Sequence, residues 1–132
     1  MTDKRALYNE AVRAREQSYS PYSGFQVGAA LLGRSGKIYR GCNIENASYS
    51  PTNCAERTAF FKAVSEGERE FEAIAVAGGR AGEELQPCAP CGVCRQVMAE
   101  FCGPDFLVIL GDAQGNVEEY TLGELLPESF SL

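Results

Sequence analysis

The stretch Phe71-Glu72-Ala73-Ile74-Ala75-Val76-Ala77-Gly78 is almost wholly apolar across Ala73–Ala77. A strand that is apolar on both faces has something packed on each, so this one is expected at the centre of a covered sheet. The segments on either side fit that plan. Cys54 to Glu66 reads as a helix, with Ala55, Ala59, Ala63 and the Phe60–Phe61 pair on its inner side. Cys91–Phe101 reads as another, with Val93, Val97, Met98 and Phe101 inward. Pro90 suits its entry, where a missing N–H costs nothing.

Farther out, Phe25, Val27, Ala29 and Leu31 alternate as one face of a strand. Gly33-Arg34-Ser35-Gly36 is a turn, and Lys37–Cys42 returns to close a hairpin. Residues 2–18 read as an amphipathic helix on Leu7, Ala11, Val12 and Ala14, broken by Ser20-Pro21-Tyr22-Ser23-Gly24. Phe106–Leu110 and Val117–Thr121 are strands, and Leu122–Leu126 is a helical turn before Pro127. Asn43–Asn53 and Gly78–Ala89 read as loops. The order α-β-β-α-β-α-β-β predicts one α/β domain over residues 1–132, with a five-stranded mixed sheet and helices on both faces.

Composition narrows the chemistry. Twelve basic and 18 acidic residues leave a formal charge of −6, which argues against nucleic acid, since phosphate backbones are held by clustered Lys and Arg. No run approaches the roughly 20 apolar residues of a membrane span, so no membrane partner is expected, nor a targeting segment at the start. There are six cysteines and no histidine. That excludes a His general base, a Ser-His or Cys-His pair and an imidazole ligand. Thiols, carboxylates, hydroxyls or a metal must do the work. A disulfide framework suits short, loop-rich secreted chains, and the periodic elements here point instead to free thiols in a reducing cytosol.

Three cysteines crowd into Pro87-Cys88-Ala89-Pro90-Cys91-Gly92-Val93-Cys94, as two overlapping Cys-x-x-Cys pairs. Such a pair is a redox dithiol or half of a metal site. Both the Cys54 helix and the Cys91 helix start on a cysteine. If the two starts lie side by side, Cys54, Cys91 and Cys94 converge where helix N-termini stabilise thiolates. Three thiolates suit Zn²⁺, and three ligands instead of four leave the open position of a catalytic site. Glu56, two residues past Cys54, stands near the metal without having to bind it, placed to move protons. Two rivals draw on the same cysteines. One is a closed structural zinc site with Cys88 or Cys42 as fourth ligand; the other is a thiol oxidoreductase on Cys88–Cys91 or Cys91–Cys94.

Zinc deaminases carry His-x-Glu followed by Pro-Cys-x-x-Cys. Cys54-Ala55-Glu56 with Pro90-Cys91-Gly92-Val93-Cys94 resembles an all-cysteine form of that signature. Ser20-Pro21-Tyr22-Ser23, Gly41-Cys42-Asn43-Ile44-Glu45-Asn46, Asn53-Cys54-Ala55-Glu56-Arg57-Thr58-Ala59 and Pro90-Cys91-Gly92-x-Cys94-Arg95-Gln96 resemble the small homotetrameric cytidine deaminases. The resemblance covers about residue 18 to the C-terminus. It implies a three-layer α/β/α sandwich, one Zn²⁺ per chain, and hydrolytic deamination of cytidine and deoxycytidine in cytoplasmic pyrimidine salvage. In that chemistry zinc-activated hydroxide attacks C4 and Glu56 shuttles protons to N3 and the departing ammonia.

The resemblance also assigns supporting roles. Three thiolates give the zinc site a net charge of −1, which makes bound water harder to ionise. Arg57 is implied to hydrogen-bond the thiolates and offset that charge, with Arg95 beside Cys94 as a helper. Asn43 and Glu45, alternating on an extended segment, fall on the sugar-binding pair. Phe25, core by pattern alone, is placed instead against the pyrimidine or ribose. Tyr49 and Ala55 match pocket positions, with the Ala55 N–H near the base carbonyl. Phe130 matches a residue that completes a neighbouring subunit's site.

Overall fold

A computed structural model describes residues 3–132. In chain order the elements are α1 (Lys4–Ala14), β1 (Phe25–Gly33), β2 (Ile38–Cys42), α2 (Ala55–Ser65), β3 (Phe71–Arg80), α3 (Gly92–Phe101), β4 (Leu107–Gly111), β5 (Val117–Thr121) and α4 (Leu122–Leu125). The sheet has five strands in the order β2-β1-β3-β4-β5. The β3–β4 pair is parallel and the other pairs are antiparallel, so the sheet is mixed, with β3 at its centre.

The alternation along β3 divides the core in two. Ala73, Ala75 and Ala77 meet Leu7, Tyr8 and Ala11 of α1 on one face. Ile74 and Val76 meet Phe60 of α2 and Met98 of α3 on the other. The result is a three-layer α/β/α sandwich. The alanine face is shallow because α1 lies close to the sheet. The deeper face holds a cluster of aromatic rings in which Phe60 stands 5.0 Å from Phe71, centroid to centroid, and 6.2 Å from Phe101.

Four local expectations are corrected. Thr2, the expected start of the first helix, lies outside the described residues, and α1 ends at Ala14, with a tighter 3-10 turn over Arg15–Gln17. Arg15 drives that change: its guanidinium donates to the carbonyls of Gln26 at 2.9 Å and Gly79 at 2.8 Å, tying the chain to the ends of β1 and β3. Those strands run longer than expected, pairing from Phe25 with Arg80 to Gly33 with Phe71. Phe61 and Val93 point outward and not into the core, at 50% and 57% exposure.

Two helix starts bring the proposed ligands into place. Cys54 and Cys91 are not the first helical residues but the extended caps preceding them. The chain is fixed before Cys54 by reciprocal backbone hydrogen bonds between Ile44 and Asn53, at 3.0 and 2.9 Å. From the sheet side, Gly41 lets the helix approach. A Cβ there would strike the Ala55 carbonyl and sit 2.5 Å from the Ala59 nitrogen.

Candidate active site

Because α2 and α3 both begin at the end of the sheet where β2 and β3 finish, their cap sulfurs meet. Cys54 Sγ and Cys91 Sγ are 4.0 Å apart, and Cys91 Sγ and Cys94 Sγ 3.5 Å apart. All three lie within 4.8 Å of one another, and no other Cys, Asp or Glu among the described residues joins the group. Sulfurs on a tetrahedral zinc with bonds of about 2.3 Å stand about 3.8 Å apart. The spacing therefore fits a zinc ion held by three protein ligands.

The charge balance of the trio points the same way. The Cys54 thiol is held down to about 5, first by its hydrogen bond with Cys94 and next by Arg57. Cys94 is pushed up by that same contact and by burial. Three sulfurs this close hold a proton among them unless a cation takes its place. Arg57 Nη2 donates to Cys54 Sγ at 3.1 Å, while its Nε is buried with no partner. Neither cap sulfur bonds a backbone N–H, so the first-turn N–H groups of both helices have no side-chain cap.

A cavity of about 260 Å³ opens beside the sulfurs. Cys54, Glu56 and Cys91 line one end of it, with Phe25, Asn43 and Glu45 among its other walls. Among the described residues Glu56 is the one buried charged side chain, 4% exposed. Burial lifts its carboxyl to about 7, and the charge on Cys54 adds to that effect. Ala55, the first helical residue of α2, also lines the cavity, and its N–H has no acceptor within the helix.

The polar end of the cavity is held by residues that the sequence does not single out. Asn43 Oδ1 accepts from the Ser18 hydroxyl at 2.5 Å and the Val27 N–H at 2.9 Å, and Asn43 Nδ2 donates to the Phe25 carbonyl at 2.8 Å. One amide N–H of Asn43 is left over for a ligand. Glu45 Oε1 accepts from the backbone N–H groups of Tyr22 and Ser23, at 2.9 and 3.2 Å, and Oε2 from the Ser23 hydroxyl at 2.5 Å. The Ser23 hydroxyl bond, followed by those two N–H groups, holds this carboxyl below the usual range, so it is an acceptor with lone pairs to spare. The segment Ser20–Gly24, in sequence a helix breaker and one of the resembling motifs with no role attached, is thus the clamp on Glu45. Nothing in the spacing of Ser18 and Ser23 marks them out.

Three assigned residues stand elsewhere. Arg95 does not reach a sulfur: its Nε donates to the Pro90 carbonyl at 2.8 Å and its Nη1 to the Leu125 carbonyl at 2.6 Å. The expectation that it offsets thiolate charge is corrected; it fastens the entry of α3 to α4. Tyr49 lines an adjoining hollow with Tyr22 and Thr52, 75% exposed and at a φ of 65° that a bulky residue adopts at some cost. Phe130 lies outside the cavity, exposed, with its carbonyl held by Gln96 Nε2 at 3.1 Å. Cys42, Cys88 and Cys102 are unpaired, and burial raises each thiol, Cys88 to about 11 and Cys102 to about 12.

The family model described as the cytidine and deoxycytidylate deaminase zinc-binding region matches residues 1–110. A cytidine deaminase of Sporosarcina psychrophila is 57% identical over 129 residues, covering 98% of this chain and 92% of the relative. Among solved structures, the cytidine deaminase of Burkholderia pseudomallei superposes with a TM-score of 0.88 at 52% identity, over 98% of this chain and all of that one. That of Mycobacterium tuberculosis gives 0.85 at 37% identity, over the full length of both.

Proposed function

The chain belongs to the cytidine and deoxycytidylate deaminase family, and on that premise we propose that it hydrolyses free cytidine and deoxycytidine to uridine and deoxyuridine, releasing ammonia. One observation carries the reading: among the described residues three sulfurs, and no fourth ligand, converge, and two of them line a cavity that a buried glutamate also lines. A closed structural zinc site would need a fourth ligand and would give Glu56 no task.

Cys54, Cys91 and Cys94 would hold one Zn²⁺, which would supply a Lewis acid that makes water nucleophilic near neutral pH. Glu56 does the proton transfers. With its carboxyl near 7 it is both base and acid around neutrality, carrying one proton of the attacking water to N3 and then the second, from the new C4 hydroxyl, to the leaving amine. The Ala55 N–H meets the pyrimidine carbonyl. Phe25 packs against the nucleoside, and the spare N–H of Asn43 and the clamped Glu45 carboxylate engage the ribose hydroxyls. Arg57 draws charge from the Cys54 sulfur, which favours ionisation of the water.

The working protein is a homotetramer in which Phe130 of one chain closes a neighbour's cavity; an exposed aromatic ring at the end of the chain supports this. Native mass should then correspond to four chains, and Phe130→Ala should raise KM more than it lowers kcat. Tyr49, with its exposed ring beside the sugar end, lines the entrance. The −6 charge favours a free nucleoside over a polynucleotide. Six unpaired thiols support a cytoplasmic setting and a place in pyrimidine salvage, and among the described residues no helix is long and apolar enough to cross a membrane.

The deciding experiment measures zinc per chain and cytidine loss with and without chelator. About one zinc per chain, with deamination lost on chelation and regained with zinc, is expected. A protein that binds zinc but leaves both nucleosides untouched would refute the function.

A further inference from the structure

Cys88 lines the cavity and has no place in the thiolate trio. Gly78 of β3 makes room for it. A Cβ on Gly78 would lie 2.7 Å from Cys88 Sγ and 3.2 Å from Phe25 Cε1, so the thiol and the ring rest side by side on bare backbone. The Gln86 N–H donates to the Gly78 carbonyl at 3.0 Å, which anchors the loop two residues before Cys88. The thiol is partly buried and neutral, a compact apolar group in the wall.

Under the deaminase reading, on which this inference rests, three contacts orient the pyrimidine. C4 faces the thiolates, N3 faces Glu56, and the C2 carbonyl faces the Ala55 N–H. N3 and the C2 carbonyl share one edge of the ring, and both of their partners belong to the first turn of α2. The opposite edge, C5 and C6, therefore turns away from α2 and toward the loop entering α3. That loop lines the cavity with Cys88, Ala89 and Cys91. Cys91 is committed to the metal and Ala89 ends at its Cβ, which leaves Cys88 as the side chain with reach.

We infer that Cys88 limits what a substrate can carry at pyrimidine C5. A hydrogen fits beside the thiol; a methyl group competes with it for the space that Gly78 leaves open. One methyl group too many in a fitted pocket costs on the order of 10- to 200-fold in kcat/KM.

The test compares kcat/KM for 5-methylcytidine with kcat/KM for cytidine in zinc-loaded wild type, Cys88→Ala, Cys88→Ser and Cys88→Val. The ratio should rise about tenfold in Cys88→Ala, stay close to wild type in Cys88→Ser, which is nearly isosteric, and fall in Cys88→Val. A ratio that is the same in the Ala and Val variants as in wild type overturns the inference, whatever happens to the absolute rates. Should Cys88→Ala fail to fold, Cys88→Val alone decides, and an unchanged ratio there is fatal. Zinc-loaded wild type that consumes neither nucleoside instead refutes the deaminase reading and takes the inference down with it.

Discussion

Glu56 owes its chemistry to burial, which raises its carboxyl from 4.5 to about 7. In the metal-free protein the folded state holds this proton more tightly than the unfolded chain does. The associated stability is therefore complete below about 4.5 and is lost as pH rises through 7. Gln at this position never charges. Chelator-treated Glu56→Gln should therefore gain on wild type by roughly 3 kcal/mol between pH 4.5 and 8, read from melts at each pH. A stability gap that does not change with pH would contradict the assigned burial. At Arg57 the contact is with charge: replacing it by Ala removes the 3.1 Å bond to Cys54 and should weaken zinc binding about 10- to 100-fold, measured by chelator competition. Unaltered zinc affinity would make Arg57 a bystander. The grouping of the three sulfurs with Glu56 beside them was legible because it follows from residue type at fixed spacing along two helix starts. The roles of Ser18 and Ser23 and the partners of Arg95 were not, since a hydroxyl or guanidinium bonds whatever the fold brings near it.

At the scale of elements, the site depends on how closely α2 lies on the hairpin. Gly41→Ala would press a methyl group into the Ala55 carbonyl and the Ala59 nitrogen. Overpacking of this kind costs about 1–3 kcal/mol. The expected result is a melting point several degrees lower together with faster zinc loss, since Cys54 moves with the helix while Cys91 does not. A lower melting point with unchanged zinc release would separate the packing from the site. Strand positions and helix starts could be read from apolar period and caps. The outward turn of Phe61 and Val93 could not. In α2 the buried stripe runs through Ala55, Glu56, Ala59, Phe60 and Ala63, and Phe61 falls beside it. Periodicity marks a face, but how wide a face is covered depends on the neighbouring layer. The first turn of α3 has little above it, and Val93 stays in water.

For the molecule as a whole, the central strand is what joins the two halves of the site, since β3 separates α2 from α3 in sequence and supports both in space. Cys54 and Cys91 stand 37 positions apart and meet only once the sheet has assembled. Cys88, Cys91 and Cys94, by contrast, lie within seven consecutive residues and can gather around a metal in a chain that has not folded at all. Folding must then exchange one sulfur for another, releasing Cys88 to the cavity wall and recruiting Cys54. Metal captured by the unfolded chain stabilises the native state less than its affinity alone implies. Refolding with zinc present from the start should accordingly be slower than refolding with zinc added afterwards, and Cys88→Ser should narrow the difference. Equal rates in both orders would mean that the unfolded loop does not hold the ion. The spare cysteine of the cavity is thus also a competitor in time, and the order in which chain and metal meet becomes part of how the site is made.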